Sequence, residues 1–173
     1  MKLFKRTIKN KKGSIQDLFL IGAVLLFFAL ITLLGFKLHQ EWDDQIQGMG
    51  DIPTEAKTAS THLLGNYSGT IDNMYLFLAV GLSIITIVLA ALVRIHPVFA
   101  IFFFIGLTFV IFYCGIMSNI YGEFAGNSEL ITQADQLIFI SNIMGKLPFF
   151  IGIIGFILMI VSYKTWRASQ IGI

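Results

Sequence analysis

Four long apolar runs, at 15–36, 75–93, 98–120 and 147–163, alternate with shorter polar segments along the chain. A membrane helix rises about 1.5 Å per residue and needs roughly 17–25 apolar residues to span. Each run therefore predicts one crossing, with the fourth near the lower limit. After Asp17, no Asp, Glu, Lys or Arg interrupts any of them. One Lys or Arg at mid-bilayer costs about 2.5–3.5 kcal/mol on insertion scales, so these charge-free gaps are as informative as the apolar residues. The expected fold class is all-α: an integral membrane protein with four transmembrane helices and short interfacial helices in the outer loops.

Local signals set the expected boundaries. Ser14 and Asp17 form an S-x-x-D capping box after Gly13, and open a helix over 14–47. Leu38, Trp42, Ile46 and Met49 recur on one helical face, so this helix runs past the bilayer until Gly48 and Gly50 end it. The outer loop 48–74 is expected to hold a short amphipathic helix from Glu55 to Leu64, stopped at Gly65, with Asn66, Ser68, Gly69 and Asp72 in turns. Transmembrane helices two and three are expected over 75–95 and 96–120. His96-Pro97 predicts a tight turn between them, and hence a close antiparallel hairpin. In the second outer loop, 121–146, Asn127-Ser128 caps an interfacial helix whose face is Leu130, Ala134, Leu137, Ile138 and Ser141. Gly145 ends it, Pro148 opens the fourth span at 147–163, and 164–173 is a tail.

Charge gives the runs a direction. The tail 1–13 carries Lys2, Lys5, Arg6, Lys9, Lys11 and Lys12; the second turn carries Arg94; the C-terminus carries Lys164 and Arg167. The opposite flanks hold only Lys37, Lys57 and Lys146, together with Glu41, Asp43, Asp44, Asp51, Glu55, Asp72, Glu123, Glu129 and Asp135. The positive-inside rule then predicts both termini on the cytoplasmic side. A signal-peptide apolar region is about 7–15 residues with a small-residue cleavage site. The first run is longer and has no such site, so it reads as a retained signal anchor.

Composition agrees with this reading. Charged residues are 13% of the chain against about 25% in soluble domains, and 17 Phe suit a lipid-facing surface. Small and hydroxyl residues at helical spacing are expected to be packing sites: Ala79, Ser83, Thr86 and Ala90 on span two, Thr108, Gly115 and Ser118 on span three, Gly152 and Gly155 on span four. They would join the spans to one another or to further copies of the chain.

Candidate chemistry is sparse. Cys114 is the one cysteine, so no disulfide within the chain and no Cys/His metal spacing exist. His39, Glu41, Asp43 and Asp44 fan out around a helix and do not converge as a Ca²⁺ site requires. His39 and His62 lie on one side of the membrane and His96 on the other. Asn66-Tyr67-Ser68 is a glycosylation sequon that matters only in a secretory pathway. No nucleophile–base pair is present, so no enzyme, cofactor, metal or small-molecule substrate is expected. Charge-free spans argue against a pump, a proton-coupled carrier or an intramembrane hydrolase, though not against a simple pore. The basic residues are read as topology determinants that also contact anionic lipid or an acidic protein surface.

Two resemblances bear on function. Lys12-Gly13-Ser14 before an apolar helix resembles the processing site of type IV pilin precursors. Those have a single span and Glu where this chain has Leu18, and the reading is set aside. The basic tail, the long first span, His96-Pro97-Val98-Phe99, Tyr121-Gly122-Glu123-Phe124 and Lys146-Leu147-Pro148 together are similar to small multi-span membrane proteins of tailless, lipid-containing icosahedral viruses. That resemblance implies a non-enzymatic structural protein of the host plasma membrane and the internal virion membrane. Its partners would be the bilayer, copies of itself or other membrane proteins, and capsid proteins against the basic tail. The acidic loops would face the genome, which argues against nucleic-acid binding there. The alternative is a small pore-forming, holin-like or transport-associated protein.

Overall fold

A computed structural model describes the backbone of residues 15–91 and 97–171, and the side chains of 15–91 and 101–161. The described residues are helical with no strand: α1 Ile15–Gly48, α2 Thr54–Ala91, α3 Pro97–Ala125, α4 Ile131–Gln136, α5 Ile138–Gly145 and α6 Leu147–Ile171. Three helices are long and apolar enough to cross a membrane, within Ile15–Gly48, Thr54–Ala91 and Ile101–Ala125. α5 and α6 make a fourth if counted together, and they are bent by 70° at their junction. The protein is therefore a membrane-embedded helical bundle.

Burial follows helical periodicity. On α1, Leu18, Ile21, Leu25, Ala29, Leu33 and Phe36 are buried, while Leu20, Phe27, Ile31 and Leu34 face outward. Phe77, Phe109, Phe112 and Phe149 are each more than 70% exposed. In water such surfaces would drive aggregation; against acyl chains they are solvated.

α1 packs on α2 and α3, and α6 packs on α2 and α3, so the long helices form a ring in the order α1, α2, α6, α3. The close hairpin expected of spans two and three is not what forms: among the described residues α2 and α3 occupy opposite corners of the ring. Proximity in sequence loses here to the fit of side chains. The turn containing Arg94 and His96 lies outside the described residues.

α2 corrects a second expectation. No stop occurs at Gly65, and the segment expected to form turns continues the helix through Gly69 and Asp72 into the apolar run. Each glycine weakens a helix by about 1 kcal/mol relative to Ala, and packing on α1 outweighs this. Tyr67 stacks on Phe36 at 5.2 Å and on His39 at 5.6 Å. Gly35 makes the approach feasible, since a Cβ there would lie 2.9 Å from the Tyr67 hydroxyl oxygen. Thr58 and Thr61 hydroxyls turn back onto the carbonyls of Thr54 and Lys57, at 2.9 and 3.2 Å.

The second loop differs too. Instead of one interfacial helix there are two short ones, broken at Leu137, whose φ of −99° and ψ of 71° are not helical. Leu130, Ala134 and Leu137 face inward as expected, but Ile138 is 61% exposed, and Ile140 and Met144 take the buried positions. The break resets the helical phase. α4 and α5 sit against the bundle, with α5 touching α1, α2 and α3.

The expected packing residues divide. Ala79, Ser83, Thr86 and Ala90 are all buried, and the Ser83 and Thr86 hydroxyls donate to Ala79 and Leu82 carbonyls at 2.6 and 2.7 Å. On α3 the buried stripe is Leu107, Val110, Cys114, Met117 and Tyr121. Thr108 is exposed, its hydroxyl satisfied by the Phe104 carbonyl at 3.1 Å, and Gly115 and Ser118 are half-buried at the edge of the contact. A backbone-satisfied threonine tolerates lipid, so polarity alone did not mark the interior. On α6, Gly155 is buried against Leu107, and Gly152 faces Ile111.

A Cβ at Gly155 would collide with Leu107 Cδ1 and lie 2.9 Å from its Cδ2. Overpacking of this kind costs roughly 1–3 kcal/mol. Gly155→Ala should lower unfolding stability in detergent by that amount, and Leu107→Ala in the same chain should recover part of it. Gly81→Ala, with nothing within 4 Å of its Cβ, should be neutral or slightly stabilising.

Candidate functional site

Apart from Gln47, Lys57 and Thr61 at the α1–α2 tip, the described polar side chains that bond between helices gather at one end of the bundle, where α4 and α5 meet α1, α2 and α3. Asp72 is at their centre. It lies on α2 one turn before Tyr75 and is 5% exposed. Its Oδ2 accepts from the Phe139 amide and its Oδ1 from the Ile140 amide, both at 2.8 Å. These amides belong to the first turn of α5, whose N-cap residue, Leu137, supplies no side-chain bond. A helix N-terminus leaves four N–H groups without intrahelical partners and carries partial positive charge. Asp72 thus provides, from another helix, the cap that Leu137 cannot.

Further contacts hold the same segment. The Tyr121 hydroxyl of α3 and the Ser141 hydroxyl of α5 are hydrogen-bonded at 3.1 Å, and Ser141 Oγ donates to the Ala134 carbonyl of α4 at 2.9 Å. Gln133 and Gln40 pair through their side-chain amides at 2.6 Å. Lys37 Nζ lies 2.9 Å from Glu129 Oε2 and 3.6 Å from Glu41 Oε1. Asn127 Oδ1 accepts from the Glu129 amide at 2.9 Å, an Asx turn that sets Glu129 facing Lys37. Tyr75 adds a buried hydroxyl with no protein partner among the described residues, near Asp72 and Tyr121.

The acids and histidines considered as a metal set do not converge. Asp43 is buried toward α2 with Gln47 Nε2 at 3.3 Å, His39 is half-buried on Tyr67, and Glu41, Asp44 and His62 are exposed. Among the described residues no group of three or more His, Cys, Asp or Glu is arranged to hold a metal ion. Cys114 is buried against Gly22, whose Cβ would lie 3.1 Å from its Sγ. The topology residues Lys2, Lys5, Arg6, Lys9, Lys11, Lys12 and Arg94 lie outside the described residues, as do the side chains of Lys164 and Arg167. Ser14 of the capping box is outside them too, while Asp17 sits in the first turn of α1.

Sequence reasoning missed Asp72, because its partners are 67 and 68 residues away. The available hint was an acid one turn before an apolar run, paired with a later helix start that has no capping side chain. What the arrangement does chemically is orient backbone: it fixes α5 against the bundle. No family model, no curated protein and no solved structure matches this chain.

Hydrogen bonds to charged groups contribute about 1.5–3 kcal/mol each. Asp72→Ala should therefore cost roughly 3 kcal/mol or more of local stability. Hydrogen exchange at the Phe139 and Ile140 amides should accelerate by about 100-fold or more, at 1.4 kcal/mol per tenfold. Asp72→Asn should rescue only part, because one oxygen becomes an N–H that faces another donor.

The Lys37 pair predicts a pH dependence. The hydrogen bond that Lys37 donates to Glu129, with the charges of Glu129 and Glu41, holds the Lys37 ammonium above its ordinary 10.5. A folded-state value above the unfolded one stabilises fully below the unfolded value and loses that contribution as pH rises through the folded one. Stability measured from neutral pH into the alkaline range should fall more steeply from 10.5 up to the raised folded-state value in the native chain than in Lys37→Met.

Proposed function

We propose that the protein is a non-enzymatic structural component of a membrane assembly, in the manner of the internal-membrane proteins of lipid-containing icosahedral virions. It would cross the bilayer four times with both termini on the cytoplasmic side. The observation that carries this reading is a filled interior. Leu18, Leu25, Leu33, Tyr75, Cys114, Leu137, Ile140, Leu147 and Ile151 are all at 0% exposure. The buried hydroxyls of Ser83 and Thr86 are turned onto their own helices, and Asp72 is occupied by backbone amides. Side chains of the described interior are thus spent on position, which suits a scaffold and gives a solute little to follow within one copy. The charge asymmetry supports the orientation, because nine Lys and Arg lie on the flanks assigned to the cytoplasm.

In a particle assembled by drawing the host membrane inward, the basic termini would face the coat, and the acidic hairpin that the outer ends of α1 and α2 make around 48–54 would face the lumen. Reconstituted into dye-loaded liposomes, the full chain should release no more dye than protein-free vesicles, and its expression alone should leave growth unaffected. Leakage at good incorporation would replace this reading with the pore-forming one. In purified particles the chain should travel with the lipid fraction, and protease applied to intact vesicles with the cytoplasmic face outward should remove the tail and spare the hairpin. Digestion of the hairpin with protection of the tail would reverse the orientation.

A further inference from the structure

Helix α1 keeps its outward apolar stripe after it has left the bilayer. Within the span the stripe is Phe27, Ile31 and Leu34; it continues as Leu38, Trp42 and Met49, which are 66%, 65% and 51% exposed. Steps of four, three, four, four and seven residues keep all six on one face of the helix. Counting from Ile15, about 20 residues at 1.5 Å each fill a hydrocarbon core of about 30 Å and end near Leu34. Trp42 and Met49 then stand about 12 and 22 Å further along the axis. The ion pair of Lys37 with Glu129 marks the polar boundary just below them.

The rest of the described chain does not cover this face. α1 meets α2 through Phe36 and His39, and the α3–α4 segment through Lys37 and Gln40, on other sides of the helix. The basic tail begins at the opposite end of α1. Scattered apolar residues on a surface are ordinary, but a long stripe rimmed by polar groups, here interrupted beyond Trp42 only by the exposed Gln45, marks an interaction site. The rim here is acidic: Glu41 borders the stripe, Asp44 follows one turn on along the same side and further round the helix, and Asp51 and Glu55 close the tip, all exposed. The neighbouring cations are already engaged, Lys37 by Glu129 and Lys57 by the Gln47 carbonyl at 2.9 Å. A second copy laid along the same face would set Glu41 and Asp44 against their own kind, whereas a basic surface would meet them favourably.

We propose that the Leu38–Trp42–Met49 face of α1 docks a basic amphipathic helix of another protein, with apolar side chains against Trp42 and Lys or Arg over Glu41 and Asp44. The proposal stands on this surface alone and does not depend on the structural role above. The probe is a synthetic Leu/Lys peptide with its leucines on one helical face, titrated onto the full chain in zwitterionic nanodiscs, with Trp166→Phe leaving Trp42 as the only indole. Saturable binding absent from empty discs, with a blue shift of Trp42 emission, is the expected result. The affinity should drop at least tenfold in Leu38→Ser, and likewise in Glu41→Gln with Asp44→Asn, and should weaken with salt. No binding, or equal binding of a peptide of the same composition with its leucines scattered, would overturn the proposal. So would quenching of Trp42 by brominated acyl chains before peptide is added, which would make lipid the occupant. Efficient disulfide cross-linking of Met49→Cys between copies would make it a second copy of this chain.

Discussion

A carboxylate taken out of water must fill its lone pairs or destabilise everything packed around it. At Asp72 the filling is done by two backbone amides of α5, one on each oxygen, and most of that end of the bundle depends on the arrangement. The need runs both ways. α5 begins at a residue whose side chain cannot cap it, beside the break at Leu137 and ahead of a 70° turn into α6. In a low-dielectric setting the exposed amides of such a helix start would each be costly. Acid and helix end satisfy each other, and this explains how two helical breaks, at Leu137 and Lys146, are tolerated beside a membrane span.

The bundle itself is held by a different force. Lipid tails are as apolar as leucine, so burial from lipid into protein gains little, and close contact decides which helices become neighbours. Close approaches fall at three glycines around α3: Gly22 beneath Cys114, Gly106 beneath Ile15, and Gly155 beneath Leu107. The first two join α3 to α1 and the third joins α3 to α6. With α2 presenting its own small stripe, Ala79, Ser83, Thr86 and Ala90, to the interior, α2 and α3 end up diagonal although they are consecutive in the chain.

These two forces also explain what could be read in advance. The apolar runs, the all-helical class and the α2 packing stripe are local properties of spacing and composition, and they are legible at Ala79–Ala90 as a period of three and four. The α3 stripe was misread because Thr108 was valued for its hydroxyl, which its own helix satisfies. Gly65 reads locally as a stop because the rings on which Tyr67 stacks, Phe36 and His39, lie outside any local window. The Asp72 site was illegible for the same reason in a stronger form: its chemistry is completed by amides of a distant segment, and amides carry no sequence signature.

The continuity of α2 has a mechanical consequence. A loop at 65–74 would have let the outer part of the chain move independently of the span. Instead α1 and α2 leave the membrane as a pair of uninterrupted helices, joined by the Tyr67 stack. At the tip Gln47 Nε2 donates to the Lys57 carbonyl and to Thr61 Oγ1, while Lys57 Nζ donates to the Gln47 carbonyl. A force applied near Trp42 is therefore carried down two helices into the buried face that contains Phe36, Leu33 and Tyr75, and through Asp72 into α5. Docking at the hairpin would then share one rigid path, made of contiguous helices, with the order of α5 at the same end of the bundle.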